Sequence, residues 1–130
     1  MKIKFKAITT DGKWVEGFLL PNNILRQTFK NKDADGEDYD EVLSDYKIIP
    51  ETVCFGVLVK NEWYYTGDKA TISYGKMKHP PTPNRIRNGV IVFEDGQLSV
   101  KVDDSEVRVN FSIINEIEIT GSIHDKHLKG

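Results

Sequence analysis

A single cysteine, Cys54, stands in the whole chain, so neither an internal disulfide framework nor a thiolate metal cluster can be built within it. Helix-favouring residues are scarce. Ala and Leu together number 10 against 24 for Ile and Val, a balance that speaks against a helical bundle and for sheet. No apolar run approaches the ~18 residues that span a bilayer, so no membrane segment is expected. A strong charge of either sign is also missing: 18 basic residues against 20 acidic give a net charge of -2. That excludes a generally basic nucleic-acid coat and leaves room for a local basic patch. The opening residues Met1 to Lys6 alternate apolar with basic and lack a signal-peptide core, so a cytoplasmic chain is expected. What remains is 130 residues, 38% hydrophobic and 29% charged, the profile of one globular domain or two small ones.

The pattern along the chain is one of short strands and turns. Ile3, Phe5 and Ala7 alternate with lysines, the period of a half-buried strand. Asp11-Gly12 suits a tight turn, and Trp14 to Leu20 forms the return, with Val15, Gly17 and Leu19 on one face and Trp14, Glu16, Phe18 and Leu20 on the other. Ile24 to Lys30 reads equally as a short strand or a helical turn. Further strands are expected over Val53 to Val59, from Trp63, and over Lys69 to Tyr74. The clearest hairpin runs from Val90 to Phe93, through Glu94-Asp95-Gly96-Gln97, to Leu98–Val102. Val107, Val109 and Phe111 alternate next, then Ile117 and Ile119, and one helical turn is expected over Asp125 to Leu128. No long helical pattern is present.

The fold class expected is therefore all-β, in two small subdomains. The first covers 1–65 and the second 66–130, with the break near Thr66-Gly67-Asp68. The second is expected to be a meander closing toward a small SH3-like barrel. Its interior is expected to hold Ile72, Val90, Val92, Leu98, Val100, Val102, Val107, Val109, Ile117 and Ile119, since alternation decides which face is buried.

Two segments break the strand pattern. Residues 31–45 carry seven acidic side chains and few apolar residues until Val42 and Leu43, and they read as a solvated acidic loop. Within them Asn31, Asp33 and Asp35 precede Gly36 with the spacing of a calcium loop. The match is incomplete: Val42 stands where a bidentate glutamate is needed, Glu41 is one residue early, and no amphipathic helices flank the segment. An acidic surface turn is the plainer reading. Residues 75–88 form a basic, Pro-rich loop, with Pro80, Pro81 and Pro83 disfavouring a ladder. Lys76, Lys78, Arg85 and Arg87, in a 69–87 stretch that also carries Lys69 and His79, could track phosphates there, with Tyr74 and Tyr65 as nearby rings to stack on bases. The plainer alternative is a solvated loop that keeps a β edge soluble. Both segments are expected to be the most mobile parts of the chain.

Catalytic patterns are missing. The chain has no serine elbow, no phosphate-binding glycine loop and no two-histidine zinc helix. Cys54, between Val53 and Phe55, reads as a buried apolar residue. His124 and His127 could share a helical face, but no third ligand accompanies them. Of Trp63-Tyr64-Tyr65, alternation sends at least one ring into the core. No cofactor and no catalytic residue is assigned.

Taken in order, several stretches resemble a known family. Ile3-Lys4-Phe5-Lys6-Ala7 and Gly12-Lys13-Trp14-Val15-Glu16-Gly17-Phe18 are similar to the opening of the YopX-like proteins encoded by phages and prophages. Ile49-Pro50-Glu51-Thr52-Val53, the run Phe55 to Ile72 with Gly67-Asp68, Gly89 to Phe93, and Ile117 to Asp125 resemble its later blocks. Departures lie at Phe55 to Glu62, where the usual threonine-glycine-leucine and turn glycine are replaced, at the less apolar Lys69-Ala70-Thr71, and at Lys126 in place of a proline. The resemblance spans nearly the whole chain and marks a divergent, Bacteroides-like member. It implies a β-rich protein of a bacterial host's cytoplasm with no established catalytic residues.

Three functional readings follow. The leading one is a non-catalytic interaction module whose partner is a protein or a second copy of the chain, since β edges and charged loops favour association. The second is nucleic-acid binding through the basic loop. The third is a hydrolase whose carboxylates meet in a cleft, for which no motif speaks.

Overall fold

The computed structural model describes residues 3–75, 77–78, 81–82 and 85–129. The chain is mainly β, built from antiparallel pairs, and clusters into two compact units: Met1–Trp63 with His127–Gly130, and Tyr64–Lys126. The last residues thus group with the first unit rather than with the segment that precedes them.

The first unit holds β1 (Ile3–Ile8), β2 (Trp14–Leu20), β3 (Ile24–Lys32), β4 (Asp38–Lys47) and β5 (Cys54–Val59), followed by β6 (Glu62–Tyr65). The six strands form one sheet in the order β4-β3-β2-β1-β5-β6. Phe5 lies opposite both Gly17 and Phe55, and Ala7 opposite Val15, so these share a face. Ala7, Leu25 and Ile48 are its buried centre, with Phe5, Val15 and Val53 packed around them. Lys4 and Lys6 point the other way, where their ammonium groups sit over the rings of Trp63 and Trp14 at 4.6 and 4.4 Å. A 3-10 turn at Pro50–Thr52 brings Thr52 under β1: its hydroxyl accepts the Ile8 N–H at 2.9 Å and donates to the Ile49 carbonyl at 2.6 Å. Cys54 is buried beside it, its thiol directed at the Thr52 carbonyl.

The long β3–β4 hairpin decides one expectation and corrects another. Ile24 to Lys30 takes the strand alternative, and 31–45, exposed to solvent as expected, is not a loop but mostly paired strand. The reason is charge placed across the ladder, which is described with the site below.

The second unit holds β7 (Asp68–Tyr74), the short pair β8 (Met77–Lys78) and β9 (Pro81–Thr82), then β10 (Arg85–Glu94), β11 (Gln97–Val102), β12 (Arg108–Asn110) and β13 (Ile114–Ser122). Five of them form a sheet in the order β12-β11-β10-β7-β13. Among the described residues this sheet is open, with β12 and β13 as its edges. The basic 75–88 segment is also more regular than a Pro-rich loop: its last residues, 85–88, pair with β7, and 77–78 pair with 81–82. Lys76, His79, Pro80, Pro83 and Asn84 lie outside the described residues.

Asp95-Gly96, at φ +53° and +76°, is a two-residue turn of the kind whose twist matches paired strands. It sets Glu94 opposite Gln97, and hence Phe93 opposite Leu98 and Ile91 opposite Val100. Val100 in turn faces Val109. Ile91, Val100 and Val109 are buried in one row, with Ala70, Ile72 and Leu98 completing the core. Val90 and Val92 consequently stand on the opposite face, half-buried, where an interior position was expected. Val107, in the turn before β12, is 54% exposed, and Ile119, on an edge strand, is 42% exposed, so these two also leave the expected core.

Two substitutions test this account. A β-carbon on Gly17 would lie 2.1 Å from the Arg26 carbonyl oxygen, a backbone atom that cannot turn aside. Gly17→Ala is expected to lower unfolding free energy by about 1–3 kcal/mol. Thr52→Val leaves the buried Ile8 N–H without its acceptor and is expected to cost about 1–3 kcal/mol, with Thr52→Ser restoring most of it. Urea melts followed by tryptophan fluorescence measure both; unchanged midpoints would refute the packing described.

Candidate functional site

Pairing between β2 and β3 ends at Phe18 opposite Arg26, next to Gly17, whose missing side chain leaves room for the Arg26 carbonyl. Beyond that point β3 and β4 continue as a two-stranded ribbon. Its outer part is exposed on both strands, and an antiparallel ribbon of this sort needs side-chain pairs to hold its register. They are present. Lys30 lies opposite Asp40 and Lys32 opposite Asp38, each pair closing an ion pair at 3.0 Å. On the other face the Asn31 amide donates to Glu41 at 3.2 Å. At the base, Arg26 Nε and Nη2 reach the two Asp45 carboxylate oxygens at 2.8 and 3.0 Å. Exposed ion pairs add little stability, but they choose between registers, because a slip would set carboxylates beside neutral or like-charged partners. A register shift between Gln27 and Thr28, where Leu43 is left unpaired, bends the ribbon.

The electrostatics follow from that geometry. The Arg26 guanidinium, hydrogen-bonded to Asp45, holds its carboxyl below the ordinary carboxylate value, and Asp45 in turn raises Arg26. Residues 26–45 carry three basic and seven acidic side chains, a net charge of -4. Each basic side chain is committed to an aspartate, so the surplus acid is that of Asp33, Asp35, Glu37 and Glu41. Alongside it the ribbon exposes four large apolar or aromatic side chains: Phe29 (42%), Tyr39 (41%), Val42 (52%) and Leu43 (58%). By register Phe29 and Tyr39 share one face of the ribbon, Val42 stands on the other, and Leu43 sits at the irregularity between Val42 and Ser44.

The calcium-loop residues are strung along this hairpin. Asn31 and Glu41 sit on opposite strands of the ladder, while Asp33 closes the turn. The Asp33 Oδ1 atom accepts the backbone N–H groups of both Asp35 and Glu37 at 2.9 Å, an Asx-type turn that uses the oxygen an ion would need. Among the described residues no three His, Cys, Asp or Glu side chains converge on a point suited to a metal.

Of the four basic residues named for phosphate contact, Lys76 lies outside the described residues and Lys78 belongs to β8. Arg85 and Arg87 are exposed, two apart on β10 and therefore on one face of the strand, opposite Tyr74 and Ile72 of β7. Tyr65 is the buried ring of the aromatic triplet; Tyr64 packs edge-on against Phe111 at 5.1 Å. Among the described residues, two clefts are shallow. One, of about 180 Å³, is lined in part by Glu116, Glu118 and Ser73; the other, of about 270 Å³, by the Lys4–Glu16 ion pair and Gly17. Neither is lined by histidine or cysteine. No helix among the described residues is long and apolar enough to cross a membrane.

Geometry alone thus defines a class: a two-unit, all-β chain carrying an acidic, partly apolar β arm. Comparison with the family models, with curated proteins and with solved structures finds no match. The arm escaped the sequence reading, although its signal is present. Reflecting the chain about Asp35 sets Lys30 against Asp40 and Lys32 against Asp38, a complementarity that composition alone conceals.

The Arg26–Asp45 pair makes the base of the arm pH-sensitive. The folded-state pKa of Asp45 is depressed, so its stabilising contribution is present above the unfolded value, 3.8, and is lost as pH falls through the folded one. Protection of the Gln27 and Ser44 amides, taken as exchange relative to the intrinsic rate at each pH, is expected to fall on acidification across that window. Asp45→Asn should flatten this acid limb; an identical limb in the variant would exclude the pair as its origin.

Proposed function

We propose that this chain is a non-catalytic protein-interaction module of prophage derivation, related to the YopX-like proteins and acting in the cytoplasm of a bacterial host. Its partner is a protein or a second copy of the chain. The observation that carries the reading is the β3–β4 arm, which exposes Phe29, Tyr39, Val42 and Leu43 on an acidic ribbon. A monomer gains nothing in its own stability from holding apolar side chains in water, whereas a binding surface requires them. The opening, central and closing blocks quoted above support the family relationship. Five antiparallel strands in the second unit support its reading as a relative of small SH3-like barrels, one whose sheet is left open.

A second reading is nucleic-acid contact through Arg85 and Arg87, favoured by their exposure on one face of β10. Such binding would be indifferent to sequence and would weaken steeply with salt. Charge reversal at both arginines separates the two readings, since it abolishes phosphate contact and leaves the arm untouched.

The main reading is tested by shortening the arm, replacing residues 28–43 with Asn-Gly so that Gln27 and Ser44 are joined by a tight turn. The intact chain is expected to form a defined complex, with a host protein or with itself, in light scattering and affinity capture. The shortened chain is expected to fold and to lose that complex. Equal behaviour of the two chains would reject the arm as the interaction site.

A further inference from the structure

The outer edge of β4 is the edge of the whole six-stranded sheet. The hydrogen bond from the Asp33 N–H to the Glu37 carbonyl, 3.0 Å, sets the alternation along the ladder. Counting from it, Asn31–Tyr39 and Phe29–Glu41 are the pairs that exchange backbone bonds. Lys30–Asp40 and Lys32–Asp38 are the intervening pairs, where side chains approach most closely, as their ion pairs require. The backbone N–H and C=O groups of Asp38, Asp40 and Val42 therefore point away from β3, toward an edge that no described strand covers. Exposed edges of this kind are templates for a further strand.

We propose that this edge receives an extended cationic segment of a partner protein as an added antiparallel strand. This rests on the arm being the interaction site and goes on to name what it binds. Basic side chains of such a strand would stand beside Asp38 and Asp40 on one face, giving each aspartate a cation on both sides. On the other face apolar residues would lie along Tyr39 and Glu41. Alternating basic and apolar residues is thus the expected recognition pattern, with backbone bonds supplying affinity and charge supplying register.

Charge also argues against a second copy as the occupant. Joining β4 to β4 would bring together two ribbons that each carry a net charge of -4. The cationic Arg85–Asn88 stretch of another copy offers little edge of its own. The Ile86 carbonyl already accepts from the Arg87 guanidinium, and the Asn88 carbonyl from the Asp103 N–H.

The test uses the full chain and three synthetic peptides of about ten residues. One alternates Lys with Val and Thr; the second replaces Lys by Glu; the third keeps the Lys sequence but is N-methylated at alternate backbone amides. Fluorescence anisotropy is expected to show saturable binding of the first peptide, at least about tenfold weaker binding of the other two, and weakening with salt. Amide resonances of Asp38, Asp40 and Val42 should shift on binding. Equal binding of the N-methylated peptide would overturn strand addition, since charge without backbone pairing would then suffice. So would peptide binding that survives arm shortening, or an arm-dependent homodimer in place of peptide binding. Failure of all peptides alongside arm-dependent capture of a host protein would sink this inference and leave the interaction module standing.

Discussion

Hairpin register is the constraint on which the rest of this structure depends. Side chains alternate across a strand, so the number of residues in a turn decides which half of the next strand is buried. Asp95-Gly96 illustrates it: with two residues between Glu94 and Gln97, Ile91 must meet Val100, and the core row Ile91–Val100–Val109 follows. In the first unit the positive-φ residues Asn22 and Asn23 reverse the chain so that Leu20 meets Ile24 and Leu25 enters the core. Where the turn is formed by Asp33 to Glu37, the same rule aligns lysines with aspartates instead of apolar residues with one another.

That contrast explains why one hairpin makes a core and another makes an arm. The β10–β11 pair has apolar residues on one face and can bury them. The outer β3–β4 ribbon has Lys30, Lys32, Asp38 and Asp40 on one face and Asn31, Tyr39 and Glu41 on the other, so neither side can be sealed from water. Gly17 leaves room for the Arg26 carbonyl at the point where β2–β3 pairing ends. The charged pairs then hold the ribbon extended without a hydrophobic face to support it, and its apolar side chains stay exposed.

The cation–ring contacts on the lysine-bearing side of β1 show how the sheet manages its polar surface. Lys4 and Lys6 alternate with core residues and would otherwise extend into solvent. Over Trp63 and Trp14 they shield two large rings while keeping their charge hydrated. The same period that buries Ala7 therefore places these lysines, and no separate device is needed.

The all-β class was legible from composition and from alternation, because an Ile- and Val-rich chain punctuated by turn residues has few other ways to bury its apolar side chains. Burial of Ile72, Leu98, Val100 and Val109, and of Cys54, was legible for the same reason. The continuous apolar run Val90 to Phe93 was different: it carries no period, so only the turn-determined pairing with β11 could decide that Ile91 rather than its neighbours faces inward. Val107 and Ile119 have the right residue type but stand in a turn and on an edge strand, positions defined by pairing partners far away in the chain. The acidic 31–45 segment misled because net composition is blind to cross-strand arrangement. A run of carboxylates reads as an irregular loop until a lysine-bearing strand lies beside it. What the amino-acid sequence determined by itself was local: where strands alternate and where turns can form. Which edges stay open, and which charges find partners, was decided only when distant strands met, because hydrogen-bonded neighbours in a sheet are chosen by register and not by proximity along the chain.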